Sequence, residues 1–98
     1  MTRAAMERDE IDRRMAERTD WRLNDDATAM SRLYTFKDFI TAFGFMSQCA
    51  LYAEKIDHHP EWSNVYSRVE VKLTTHSAKG LTELDFSMAA FMDRIAGR

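Results

Sequence analysis

The sequence has a single cysteine, Cys49, so it cannot form a disulfide within one chain. That cysteine usage fits a reducing compartment. No apolar run approaches the ~20 residues that a membrane-spanning helix needs. The first eight residues are charged throughout and lack the apolar core of a signal peptide. These absences exclude a disulfide scaffold, and they predict a cytoplasmic protein with no membrane partner.

Excess charge of one sign is also missing, since 14 Lys and Arg stand against 16 Asp and Glu, for a net charge of -2. Without a basic block there is no strong field to attract phosphates, so direct nucleic-acid binding is not expected. The chain has 98 residues, of which 45% are hydrophobic, and we predict one globular domain over residues 1–98. Such a short chain buries a modest core, which self-association would supplement.

Hydrophobic periodicity predicts three helices, one of them long, and four short strands. In chain order we expect a charged helix over about 4–18, a strand at 21–23, a turn at 24–26, a strand over 29–34, a long helix from 36 to 56, a hairpin over 63–75 and a last helix from 82. Thr82 and Asp85 have the spacing of a capping box for the last helix. We therefore predict an α+β fold, with a single antiparallel four-stranded sheet and three helices packed on one face.

The long central helix has the strongest pattern. We expect Thr35 to cap it, with Asp38 as the capping-box partner. Apolar residues at steps of three and four then form one helical face: Phe39, Phe43, Met46, Ala50 and Ala53. The helix should end before Pro60, because proline disfavours helical geometry in the preceding residue.

Histidines are concentrated near the ends of two predicted elements. His58 and His59 precede Pro60, and His76 follows the alternating strand. Imidazole exchanges protons near neutral pH, with an unperturbed pKa of ~6.5. Adjacent histidines point in different directions and rarely chelate one ion, so we expect no metal. Acid–base chemistry fits better, with Glu54 or Asp57 orienting a ring.

Several neighbouring residues have two interpretations each. Trp62 is either a core anchor or a flat wall for a planar heterocycle. Glu54 is either a solvated helix residue or an acceptor for ligand N–H groups. Asp85 is more often a helix-capping partner than a catalyst.

Several motifs follow one another in the second half of the chain: Glu54-Lys55-Ile56-Asp57-His58-His59-Pro60-Glu61-Trp62, then Asn64-Val65-Tyr66, Thr75-His76 and Gly80-Leu81-Thr82 with Asp85. Together they resemble the pterin-4a-carbinolamine dehydratase family. Phe36-Lys37-Asp38-Phe39 and Ala42-Phe43-Gly44-Phe45-Met46 are similar to its animal-type, dimerisation-cofactor members. The resemblance covers about residues 21–95. It implies a hydro-lyase that dehydrates 4a-hydroxytetrahydrobiopterin to quinonoid dihydropterin. Such an enzyme recycles tetrahydrobiopterin for aromatic amino acid hydroxylases, as in phenylalanine hydroxylation, without a cofactor.

The resemblance also implies roles for individual residues. It assigns catalysis to three histidines, His58, His59 and His76, whose rings are expected to converge on one slot that holds the pterin. It assigns substrate binding to Glu54, Asp57, Pro60, Trp62, Thr74, Thr75, Ser77 and Asp85.

Assembly and partners follow from the same resemblance. It implies a homotetramer built as a dimer of dimers. A hydroxylase would be one partner. The alternative function is that of a dimerisation cofactor for a homeodomain transcription factor, which would bind the long helix and add a nuclear location.

Overall fold

Within residues 3–97, which the computed structural model describes, four strands form one antiparallel sheet accompanied by three α-helices. The helices are α1 (Arg8–Ala16), α2 (Phe39–Ile56) and α3 (Glu83–Ala96). The strands are β1 (Arg22–Leu23), β2 (Met30–Thr35), β3 (Glu61–Val65) and β4 (Arg68–Leu73), and a 3₁₀ turn spans His76–Ala78. The sheet order is β1-β2-β4-β3, and α2 and α3 contact β4, which confirms the predicted fold class.

The hairpin of β3 and β4 sets the position of the histidines. Side chains of β4 alternate, with Val69, Val71 and Leu73 fully buried against the helices. Glu61, the first residue of β3, pairs with Lys72 near the end of β4. The segment that enters β3 and the segment that leaves β4 therefore lie at the same end of the sheet.

The start of α2 differs from the prediction. Asp38 is the N-cap, and its Oδ1 accepts a hydrogen bond from the backbone N–H of Thr41 at 2.8 Å. Hydrogen bonding from the side chain of Thr41, followed by this backbone bond, holds the pKa of the Asp38 carboxyl below its usual range. The assignment of Thr35 as cap was wrong, because Thr35 is the last residue of β2 and pairs with Arg68 in the sheet.

The buried face of α2 also differs from the predicted stripe. The core takes Ala42, Phe45, Cys49 and Ala53 from this helix, and burial raises the pKa of the Cys49 thiol to about 12. Of the predicted stripe, Ala53 is buried and Met46 partly buried, while Phe39, Phe43 and Ala50 are exposed. The helix carries apolar residues on more than one side, so periodicity alone could not show which side meets the sheet. Among residues 3–97, no helix is long and apolar enough to cross a membrane.

A buried polar cluster ties β2 to α3. Oδ1 of Asp93 accepts from Nη1 of Arg32 at 2.6 Å, and its carboxylate accepts from Nε1 of Trp21 at 3.1 Å. The hydroxyl of Tyr34 donates to the same carboxylate. Burial, followed by the contact with Asp93, raises the pKa of the Tyr34 hydroxyl. The Asp93 carboxylate thus accepts from three buried side chains, as a buried charged group requires.

Candidate active site

A left-handed turn at Asp57 ends α2 immediately before the two adjacent histidines. Asp57, the C-cap, has φ 52°, and the N–H of His58 donates to the carbonyl of Ala53 at 3.0 Å. Pro60 then starts the extended path into β3. Along this path His58 is buried, whereas His59 is exposed.

His58 belongs to a buried hydrogen-bond network. Its Nε2 lies 2.6 Å from Oδ1 of Asp85, which is fully buried. Oδ2 of Asp85 accepts from Oγ1 of Thr75 at 2.8 Å and from the backbone N–H of Thr82 at 3.0 Å. The capping box predicted for Thr82 and Asp85 is therefore confirmed, and the same carboxylate also holds His58.

The second ring nitrogen of His58 faces outward. Among residues 3–97, no buried side-chain nitrogen or oxygen lacks a hydrogen-bond partner. Nδ1 of His58 makes no hydrogen bond within those residues, so it must reach the molecular surface. A neutral imidazole that donates from Nε2 to Asp85 keeps Nδ1 as a proton acceptor.

His59 and His76 are exposed, and each has its own carboxylate. Nε2 of His59 is hydrogen-bonded to Oε2 of Glu54, in the last turn of α2. Nε2 of His76 lies 3.2 Å from Oε2 of Glu61. All three histidines are thus oriented by a carboxylate, and Glu61 links the segment after β4 to the start of β3.

Sequence reasoning gave Glu61 no role. Its signal lies in the hairpin register, because residues that begin β3 must lie beside those that follow β4. Arg3 was missed as well. Its Nη2 donates to the carbonyl of Asp57 at 2.6 Å, beside the histidine pair.

The remaining sequence-predicted residues have varied surroundings. Thr74 donates from Oγ1 to the carbonyl of Thr28 at 2.7 Å, while Ser77 is exposed in the 3₁₀ turn. Pro60 is half-buried, and half-buried Trp62 packs against the core. Asp57 has an exposed carboxylate, close to Arg3.

The three histidine-bearing segments meet at one end of the sheet, and each ring is hydrogen-bonded to a different carboxylate. An open cavity of about 310 Å³ lies beside His76, and neither His58 nor His59 lines it. Convergence of all three rings on one slot remains a prediction. Among residues 3–97, no three His, Cys, Asp or Glu side chains are grouped as a metal ion would need.

The fold and these carboxylate-paired histidines define a small α+β protein equipped for acid–base chemistry. The family model described as pterin 4 alpha carbinolamine dehydratase matches residues 4–95. The chain belongs to this family.

Relatives in bacteria carry the provisional name pterin-4-alpha-carbinolamine dehydratase. One from Rhizobium johnstonii is 52% identical over 93 residues, covering 95% of this chain and 92% of the relative. Another, from Brucella ovis, is 52% identical over 97 residues, covering 99% of this chain and 100% of the relative.

Two solved structures have the same fold. A crystal structure described as a transcriptional coactivator/pterin dehydratase from Brucella melitensis has a TM-score of 0.91 and 52% identity, covering 95% of this chain and 99% of that one. A pterin dehydratase-like protein, described as a RuBisCO assembly factor in the alpha-carboxysome, has a TM-score of 0.69 at 22% identity. It covers 80% of this chain and 90% of its own, and this likeness shows the fold alone.

Proposed function

We propose that this protein is a dehydratase that converts 4a-hydroxytetrahydrobiopterin to quinonoid dihydropterin and water. It thereby recycles tetrahydrobiopterin for an aromatic amino acid hydroxylase. The observation that carries the proposal is the pairing of each histidine with its own carboxylate, at one end of the sheet, in a chain of this family.

The reaction needs two proton transfers and no change of oxidation state at the protein. One group removes a proton from a ring nitrogen, and the freed electron pair forms a C=N bond to C4a. The C4a–O bond breaks, its electron pair stays on oxygen, and a second group protonates the departing hydroxyl to water. Imidazoles suit both tasks near neutral pH, and positioned acid–base groups typically contribute ~10²–10⁴-fold.

The three histidines have different surroundings, which favour a different role for each in the reaction. His59 and His76 are exposed and can reach a ligand, with Glu54 and Glu61 holding their rings. His58 can act only through Nδ1, because Nε2 is bonded to Asp85. Asp85 and Thr75 are buried, so we assign them to positioning His58 rather than to direct substrate contact. Asp57, Pro60, Trp62, Thr74 and Ser77 would border the pterin.

A dehydration assay tests this proposal. The carbinolamine is generated in situ by a hydroxylase, and its decay is followed by ultraviolet absorbance above the uncatalysed rate. We expect His59→Ala and His76→Ala to lower kcat/KM by about 10²-fold or more, the range of a lost general acid or base.

Two controls sharpen the assay. Lys37 follows β2 at the end of the sheet opposite to the histidines. Lys37→Gln should therefore retain full activity. Treatment with EDTA should leave the rate unchanged. A wild-type rate no faster than the uncatalysed reaction would refute the proposal, and EDTA inactivation reversed by zinc would replace it with a metal mechanism.

A second candidate is the binding of a partner protein through the outer face of α2. The observation that favours it is the exposure of large apolar side chains there: Phe39, Ile40, Phe43 and Leu51. A homeodomain transcription factor that needs a dimerisation cofactor is the partner implied by the family. Co-purification with such a factor, lost in Phe43→Lys, would support this role.

A further inference from the structure

Two lysines in the lining of the open cavity beside His76 have no part in the proposed dehydration chemistry. His76, Lys72 and Lys79 line it together with the polar side chains of Asn24, Thr28 and Thr74. No aspartate or glutamate is among its lining residues. Its volume of about 310 Å³ exceeds that of a single water by several-fold and suits a small charged group.

Neither of the two lysines takes part in an ion pair within the described residues. Within residues 3–97, neither ammonium group lies within ion-pair distance of an aspartate or glutamate. Glu61, the cross-strand neighbour of Lys72, is hydrogen-bonded to His76 instead. The lysine charges are therefore available to a ligand.

Backbone and side-chain hydrogen bonds fix the lining segments of the cavity relative to His76. Lys79 ends the 3₁₀ turn with φ 57°, and its N–H donates to the carbonyl of His76 at 3.1 Å. The bond from Thr74 to the carbonyl of Thr28, both lining residues, ties the β1–β2 loop to the end of β4. Asn24 closes that loop by accepting from the N–H groups of Thr28 and Ala29.

We propose that this cavity binds an anionic group, a phosphate or a carboxylate, on the side chain of the pterin substrate. The inference rests on the proposed dehydratase function, and it names the substrate class that this chain prefers. A pterin held at His76 by its ring would extend its side chain towards Lys72 and Lys79. The unmodified dihydroxypropyl side chain of biopterin has no charge to match them.

Equilibrium binding of stable oxidised pterins to the full chain tests this inference. The probes are biopterin, which has a neutral side chain, and two anionic pterins, carboxypterin and neopterin monophosphate. Binding of each is measured by the quenching of its pterin fluorescence. We expect at least one anionic pterin to bind about tenfold more tightly than biopterin at low ionic strength, with the preference shrinking as salt is added. Comparison of the two anions tells which charged group reaches the lysines, and inorganic phosphate should compete.

Variants of the two lysines test whether the preference for anionic pterins arises in this cavity. Lys72→Gln and Lys79→Gln should each reduce the anionic preference, and the double variant should abolish it without weakening biopterin binding. Lys37→Gln removes the same charge far from His76 and should preserve the preference. Equal binding of neutral and anionic pterins by the wild type, or a preference that survives in the double variant, would overturn this inference alone. Failure of every pterin to bind would overturn the proposed function with it.

Discussion

At the scale of single residues, Asp85 carries more hydrogen bonds than its role as a helix cap requires. It accepts from His58, Thr75 and Thr82 while fully buried. A buried carboxylate is stable only when its oxygens are satisfied in this way. The same carboxylate therefore both caps α3 and holds the His58 ring.

We expect Asp85→Asn to lower the free energy of unfolding by about 2–4 kcal/mol, because the amide cannot accept from all three donors. Thr75→Val, which removes one donor to Asp85, should cost about 1–2 kcal/mol. Urea denaturation followed by tryptophan fluorescence measures both. A loss below about 1 kcal/mol for Asp85→Asn would mean that the network contributes little to stability.

Tyr66 offers a stabilising substitution. It sits in the turn between β3 and β4 with φ 51°, a left-handed conformation that Asn and Gly adopt more readily than Tyr. Its side chain is 65% exposed, so little packing would be lost. We expect Tyr66→Asn to raise the free energy of unfolding by about 0.5–1 kcal/mol, measured by thermal and urea denaturation.

Val65→Asn is the matched control for this turn. Val65 is similarly exposed, at 60%, but lies in β3, where asparagine is disfavoured. It should lower stability. A gain of equal size in both variants would trace the effect to polarity rather than to backbone conformation.

At the scale of elements, α1 is attached to α3 by an ion pair. Nη1 of Arg14 lies 2.8 Å from Oε1 of Glu83, with a second bond of 3.1 Å between Nη2 and Oε2. The hydrogen bond from Arg14 holds the pKa of the Glu83 carboxyl below its usual range. A lowered folded-state pKa means that the pair stabilises the fold above the usual glutamate pKa. That stability is lost as pH falls through the lowered value.

We expect Arg14→Gln to cost about 0.5–1 kcal/mol at neutral pH, a discounted value for a partly exposed pair. The difference from the wild type should vanish in acid, once Glu83 is protonated. Urea denaturation across a pH series measures it. Arg8→Gln, which breaks a pair with Asp12 inside α1, is the control and should leave this pH dependence intact. A cost from Arg14→Gln that is the same at every pH would point to lost packing on Phe86 instead.

At the scale of the whole molecule, the outer face of α2 is unusually apolar for an exposed surface. Ile40 is 81% exposed and Leu51 is 73% exposed, with Phe43 between them on the same face. Burial of this face between copies would explain it, in line with the oligomer expected from the small core.

We expect light scattering at micromolar concentration to give a multiple of the 11.4 kDa chain mass, four chains by family resemblance. Phe43→Lys places a charge on the apolar face and should lower the measured mass. Gln48→Lys adds the same charge to α2 beside that face, and it should assemble normally. A wild-type mass of one chain would refute the prediction.

The sequence by itself determined the elements that depend on local chemistry. The alternation from Val69 to Leu73 marked β4, and Thr82 with Asp85 marked the start of α3, because these signals act over a few residues. The motif around His58, His59 and His76 was sufficient to indicate the family.

Tertiary structure decided what depends on which surfaces meet. It turned the Ala42, Phe45 and Cys49 side of α2 to the core and left Phe43 exposed, a choice that helical periodicity cannot make. It also paired His76 with Glu61, because hairpin register brings together residues that are 15 positions apart. Spacing along the chain carries no record of such contacts, whereas burial and register fix them in the folded protein.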